Sequence, residues 1–531
     1  MRTFPFPLDI AGSISRSRLL TPLLFIVGLA IAYLSSGYII SGDLTSLTFV
    51  AMIAVGAVAA ATILGNWRNG TYFFLAWLLF EDFARKFLGN NMAVYFAKDF
   101  LVLLVYLSFF AAYRRKDRDL HTFRPPFLSV VLVFVWFGAM QVFNPASTSI
   151  FYGLLGMKLY FYYVPLIFVG YAMINSEADL RKFFYINLGL MLIIAVLGIV
   201  QSIAGPRFLN PAVIADDIRL LSETYRVAPI SGARVYRPTS VFVSAGRFGD
   251  LLIIAWLLVF GFGGYLLLRC RRGRTFAFLA LALTAAACVM SSSRGVFMWC
   301  SGSTLVGAAA FLWGAPWRQG EVLRVLRTWQ RAALGIALAV VVMLLTYPEA
   351  FGDRLSVLSE TLDPRSPASE LVNRTRDYPL KNFLAAFDYP RWPYGYGIGT
   401  ISLGGQYVAR FFNARPTVGS VESGFGCLIV ELGIGGLILW LVVAISILIS
   451  AWRVVRKLRG SPWFPLAFMI FLYAFLLLLP LTFEGLQAYQ DFILNAYLWL
   501  LLGVLFRLPK LALSAQFASA VVPPSGSRWI R

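Results

Sequence analysis

The sequence predicts an all-α, polytopic membrane helix bundle. Of its 531 residues, 59% are hydrophobic and only 13% charged, and the mean hydropathy is +0.75. A soluble globular domain carries roughly 45–50% apolar and about 25% charged residues, so a water-soluble fold is excluded. Aromatic residues reach 16%, which excludes a disordered chain. Apolar runs of about 20 residues, the length a helix needs to cross a bilayer, recur along the chain.

These runs predict about 14 spans, near 19–40, 46–64, 71–88, 99–113, 127–143, 155–174, 183–203, 241–268, 275–291, 295–313, 332–347, 424–451, 462–481 and 491–507. Residues 1–203 form an N-terminal group of transmembrane helices, 204–347 a central transmembrane region, 348–420 a large loop, and 421–531 the C-terminal helices and tail. The start of the chain lacks a compact apolar core followed by a small-residue cleavage site, so no cleaved signal peptide is expected. No repeat of fixed period is visible.

The net charge is +21. In a soluble chain this would suggest nucleic acid. Here the positive-inside rule accounts for most of it, and no nucleic acid is expected. With both termini inside, the inner loops and tails hold about 27 of the 46 Lys and Arg, while the short outer loops hold only Arg85, Lys86 and Lys98. The expected location is a bacterial inner membrane, N-in/C-in, with the site facing the periplasm. The four cysteines form no CxxC pair and the single histidine, His121, stands alone. No metal or other cofactor is therefore expected.

The remaining cations resist the sidedness rule. Lys158 lies at the outer end of a span. Arg234, Arg237 and Arg247 cluster with Asp250 in ARVYRPTSVFVSAGRFGDLL. Arg294 sits in the tight SSSRG turn, and Arg374 and Arg376 stand beside Asp377 in NRTRDYP. Ionisable groups at membrane depth are costly and mark function. Several guanidinium groups facing one surface match a diphosphate, because each offers a permanently charged planar fork to phosphate oxygens. Snorkelling to headgroups, or pairing with Asp250 and Glu422, is the competing role.

In the large loop, PLKNFLAAF puts Leu380, Phe383, Leu384 and Phe387 on one helical face, with Pro379 in the first turn. The following DYPRWPYGYGIGT is a Pro/Gly/aromatic turn region that supplies Trp392, Tyr394 and Tyr396. Glycosyl transfer needs a base for the acceptor hydroxyl. Glu422, at the outer start of a span, is the first candidate, and helix capping is its competing role. Glu431 is expected to pair within the bundle. Glu81, Asp82, Arg85, Lys86, Lys98 and Asp99 are expected to form a self-neutralising network.

The order of four motifs over roughly 230–440 resembles the O-antigen polymerase and O-antigen ligase superfamily of bacterial envelope glycan enzymes. They are RPTSVFVSAGRFGDLL, SSSRG, the Arg-bearing loop ending in PYGYGIG, and VESGFGCLIVELGIGGLILWL. The resemblance implies a GT-C-like fold and metal-independent, inverting glycosyl transfer from an undecaprenyl-diphosphate-linked oligosaccharide. It implies that Arg237, Arg247 and Arg294 hold the diphosphate, with Arg374 or Arg376 assisting; Lys158, by its place at the end of a span, is a further phosphate candidate. In that reaction Trp392, Tyr394, Tyr396 and Asp377 are expected to position the acceptor sugar. Many members carry a His-Asn pair before the post-loop helix. Here that place reads Val421-Glu422-Ser423, which favours a polymerase of exopolysaccharide or O-antigen repeats over a ligase. Membrane lipids and export or chain-length proteins are the expected partners. A transporter or flippase of lipid-linked sugars is the alternative.

Overall fold

The computed structural model describes residues 56–88, 92–115, 120–211, 216–269, 273–314, 348–363, 376–414, 421–485 and 488–521, with a few isolated positions between them. The expected spans inside these residues are helical, that at 155–174 as two helices separated by a turn at 162–165. The spans at 19–40 and 332–347, and the first part of 46–64, lie outside them.

The chain forms two compact units, residues 1–120 and 121–531. In the first, α1 is Gly56–Gly65, α2 is Trp67–Phe87 and α3 is Met92–Arg114. Asn66 starts α2 by accepting the backbone N–H groups of Arg68 and Asn69 on its side chain, supplying partners that the first turn lacks. Buried ion pairs join Lys98 to Glu81 at 3.1 Å and Arg85 to Asp82 at 2.9 Å.

The second unit holds α4 (Leu128–Gln141), α5 (Ile150–Phe161), α6 (Leu166–Met173), α7 (Glu177–Ala204) and α8 (Asp216–Ser222). Strands β1 (Tyr225–Val227) and β2 (Arg234–Tyr236) follow, then α9 (Ala245–Arg269), α10 (Arg274–Met290) and α11 (Arg294–Gly314). Next come α12 (Pro348–Leu362), α13 (Tyr378–Leu384), α14 (Gly405–Phe411), α15 (Gly424–Lys457), α16 (Phe464–Leu476) and α17 (Phe492–Val521).

Among the described residues, eight helical stretches are long and apolar enough to cross a membrane, and α1, α4 and α10 are shorter apolar helices. The protein is thus a helical, multi-pass membrane protein. Helix α2 carries Arg68, Glu81, Asp82, Arg85 and Lys86 and falls in neither group. The exposed side chains Trp136, Leu305, Leu312, Ile438, Ile445 and Ile449 give the helices an apolar outer surface, as a hydrocarbon solvent requires. Inside, α6 and α17 touch backbone to backbone. A Cβ on Gly170 would stand 2.1 Å from the Leu500 carbonyl, and one on Gly503 2.2 Å from that of Ile167. Small residues permit such contact where burial from water no longer drives helix association.

The segment between α7 and α9 departs from the all-helical expectation. β1 and β2 pair antiparallel, Tyr225 opposite Tyr236 and Val227 opposite Arg234. Helix α12 packs on this hairpin through Val357, which is buried with Ala228 and Val235. The segment between α7 and α9 and the start of the 348–420 loop therefore fold together.

Candidate functional site

The hairpin, the SSSRG turn and α12 are fastened by one side chain that the sequence motifs do not single out. Arg354 is 2% exposed. Its Nη1 donates to the Tyr236 carbonyl at 3.0 Å, the Met290 carbonyl at 2.8 Å and the Ser292 hydroxyl. Its Nη2 donates to the Ser202 carbonyl at 2.9 Å. Burial lowers its pKa to about 10, which still leaves it charged at neutral pH. Six residues on, the half-buried Glu360 accepts the Ile230 and Ser231 backbone N–H groups on its carboxylate at 2.8 and 3.0 Å. Bonds from Ser231 and Ile230 hold that carboxyl below its ordinary value.

Gln201 anchors the next stretch. Its Oε1 accepts from the backbone N–H groups of Thr239 and Ser240 at 2.9 and 2.6 Å, and its Nε2 donates to the Phe208 carbonyl. Ser240 and Ser292 both have positive φ, 52° and 53°. Two non-glycine residues in the left-handed region mark tightly constrained loops.

Arg247 and Arg294 stand at the adjoining starts of α9 and α11, and Arg237 in the stretch that leads from the hairpin to α9. The Arg354 nitrogen that binds Tyr236 also binds the turn preceding Arg294, so Arg237 begins beside that turn. A Cβ on Gly249 would lie 2.8 Å from Val296 and 4.0 Å from the Ser293 hydroxyl, so α9 packs directly on α11. Arg294 is buried and its Nη2 donates to the Val227 carbonyl at 3.2 Å. Arg247 pairs with Asp491 at 3.3 Å and lies over the Phe492 ring. Asp491 is itself engaged, accepting the Ile493 and Leu494 N–H groups at the start of α17. Arg237 differs from both. It is half-buried, and among the described residues its guanidinium makes no hydrogen bond. Burial lowers its pKa.

The other expected residues are spread more widely. Lys158 lies in the last turn of α5. The next residues there, Leu159 and Tyr160, accept at their carbonyls from Asn495 and Tyr489, which places that turn near the Asp491 segment. Arg374 lies outside the described residues. Arg376 is exposed and pairs with its neighbour Asp377 at 2.7 Å. Glu422 is exposed, one residue before Ser423, the cap of α15. No hydrogen bond or ion pair among the described residues joins Glu422 to an arginine.

Trp392 packs edge-on against Phe387, Tyr396 against Tyr389, and Tyr394 is 78% exposed. No ring contact or hydrogen bond among the described residues links these three to the arginines. The expected apolar face of 380–387 is divided. Phe383 packs on Phe387 and Phe483. Leu380 and Leu384 stay exposed and line an open cleft of about 420 Å³ with Asp377, Lys381, Ala385 and Asp388. The helix ends at Leu384 and continues as a 3-10 turn, which rotates the later side chains away from the leucine face.

Glu431, expected to pair within the bundle, is buried there and held by hydrogen bonds. The Glu431 carboxylate accepts from the Ser402 hydroxyl at 2.7 Å, the Ile401 N–H at 3.1 Å and the Tyr160 hydroxyl at 3.0 Å. Gln490 donates to Ser402. The GYGIG stretch is held in place here, with the Tyr396 and Gly397 N–H groups donating to the Val430 and Glu431 carbonyls. A lone carboxylate inside an apolar run was the only signal for this arrangement.

Compared with protein families and with curated proteins, the chain matches none.

Proposed function

We propose that the protein transfers glycan from an undecaprenyl-diphosphate-linked donor to a glycan acceptor at the outer face of a bacterial inner membrane, polymerising exopolysaccharide or O-antigen repeats. The observation that carries this reading is Arg237. A half-buried guanidinium without a hydrogen-bond partner among the described residues, beside the turn that leads to Arg294, is a ready donor for a dianionic headgroup. Arg294 and Arg247 add positive charge at the same helix starts, and Arg354 fixes the scaffold beneath them. Lys158, Arg374 and Arg376 are the further cations assigned to the donor. Trp392, Tyr394, Tyr396 and Asp377 are assigned to the acceptor.

An acceptor hydroxyl attacks the anomeric carbon, the bond to the diphosphate breaks with its electrons, and a carboxylate takes the proton. Charge grows on the leaving diphosphate, where fixed arginines stabilise it most. Glu422 is the carboxylate that the sequence suggests. Purified protein in proteoliposomes, given undecaprenyl-diphosphate-linked oligosaccharide, is expected to yield a ladder of longer chains. Movement of the donor across the bilayer with no chain growth would instead establish a flippase.

A further inference from the structure

Asp250 stands in the second turn of α9, one helical turn beyond Arg247 and therefore on the same face. It is half-buried, with exposed Gly246 before it. It interacts electrostatically with Arg247, Asp491 and Tyr473 of α16, whose hydroxyl donates to the Leu494 carbonyl at 2.6 Å. The two acids differ in commitment. Asp491 holds the Arg247 Nε and two N–H groups of α17, so protonating it would cost an ion pair and a helix cap. Asp250 makes no hydrogen bond or ion pair among the described residues. One guanidinium thus faces two carboxylates, and only Asp491 is tied to it. Asp250 lies on α9 close to where α9 meets α11 and Arg294. Among the described residues no hydrogen bond or ion pair joins Glu422 to Arg247, Arg294 or Asp491.

Resting on the glycan-transfer reading above, we propose that Asp250, rather than Glu422, is the base that removes the acceptor proton. As the acceptor oxygen bonds to the anomeric carbon, its proton passes to an Asp250 carboxylate oxygen and the electron pair of the broken bond leaves with the diphosphate. Asp491 is a positioning residue that keeps Arg247 aimed.

The test is chain growth by wild type, Asp250→Asn and Asp250→Glu in proteoliposomes, with binding of undecaprenyl diphosphate measured on the same samples. D250N is expected to lower turnover by about 10²–10⁴-fold with undecaprenyl diphosphate binding unchanged, and to lose the acidic limb of the rate profile. D250E is expected to recover part of the rate with that limb shifted. Wild-type turnover in D250N overturns the assignment, as does loss of binding in step with loss of turnover, which marks a structural role. If D250N is not inserted, D250E decides, and an unshifted limb overturns the assignment. Wild-type protein that makes no polymer overturns the glycan-transfer reading itself.

Discussion

The guanidinium of Arg354 donates to oxygens on four residues, Ser202, Tyr236, Met290 and Ser292. It ties the end of α7, the hairpin and the α10–α11 turn to α12. Removing it strands several buried acceptors at once, so Arg354→Ala is expected to cost about 3 kcal/mol or more. A lowered melting temperature in detergent checks this, and Arg354→Lys, with one nitrogen for four partners, recovers only part. Glu360 acts at the other end of the hairpin. Its carboxyl is held below the ordinary value by the Ser231 and Ile230 bonds. Its contribution is therefore present above the unfolded pKa and lost as pH falls through the lowered folded one. Amide exchange at Ile230 and Ser231 should accelerate only in acid, below the usual carboxylate range, and at every pH in Glu360→Ala. Neither role was legible from sequence, since Arg354 sits in a mixed polar helix and its partners are mostly backbone carbonyls. Arg237 and Arg294 stood out in the sequence as cations against the expected sidedness, but their different degrees of engagement required coordinates.

At the scale of elements, the Pro/Gly/aromatic stretch is a wedge between α5 and the kink of α15. Gly399 has φ 87°, and a Cβ there would stand 1.9 Å from the Tyr152 carbonyl. α15 leaves helical geometry at Gly433, with φ 73°. Gly399→Ala should therefore undock the stretch, read as new protease cleavage between residues 389 and 405. Glu431 acts here by accepting hydrogen bonds, and an amide oxygen can replace the carboxylate oxygen that takes Ser402 and Ile401. Glu431→Gln should accordingly stay folded, whereas Glu431→Ala leaves buried donors unpaired and should unfold the stretch. Thermal denaturation of the two variants separates these outcomes. Long apolar helices announce themselves by run length. This wedge and the three-residue strands do not, because they are set in part by distant residues, Tyr152 against Gly399 and Val357 against Val235, and have no period of their own.

For the whole molecule, the apolar runs and the distribution of Lys and Arg carried most of the legible information. They predicted the long apolar helices of the described residues, but not the short helices α8, α12 and α14, nor that α12 packs on the hairpin. The N-in/C-in orientation predicts that a phosphatase reporter active only outside the cytoplasm works when fused after residue 362 and fails after residue 460. The reverse pattern would move the arginine group to the inner face and remove its access to an outward-facing donor. The central claim, that guanidinium groups at the α9–α11 junction bind a lipid-linked diphosphate for chain growth, is tested most directly by Arg294→Ala. Polymer length and yield should be measured for this variant at matched membrane levels. The account predicts that polymer disappears while the protein stays inserted, and full-length polymer at the wild-type yield would contradict it.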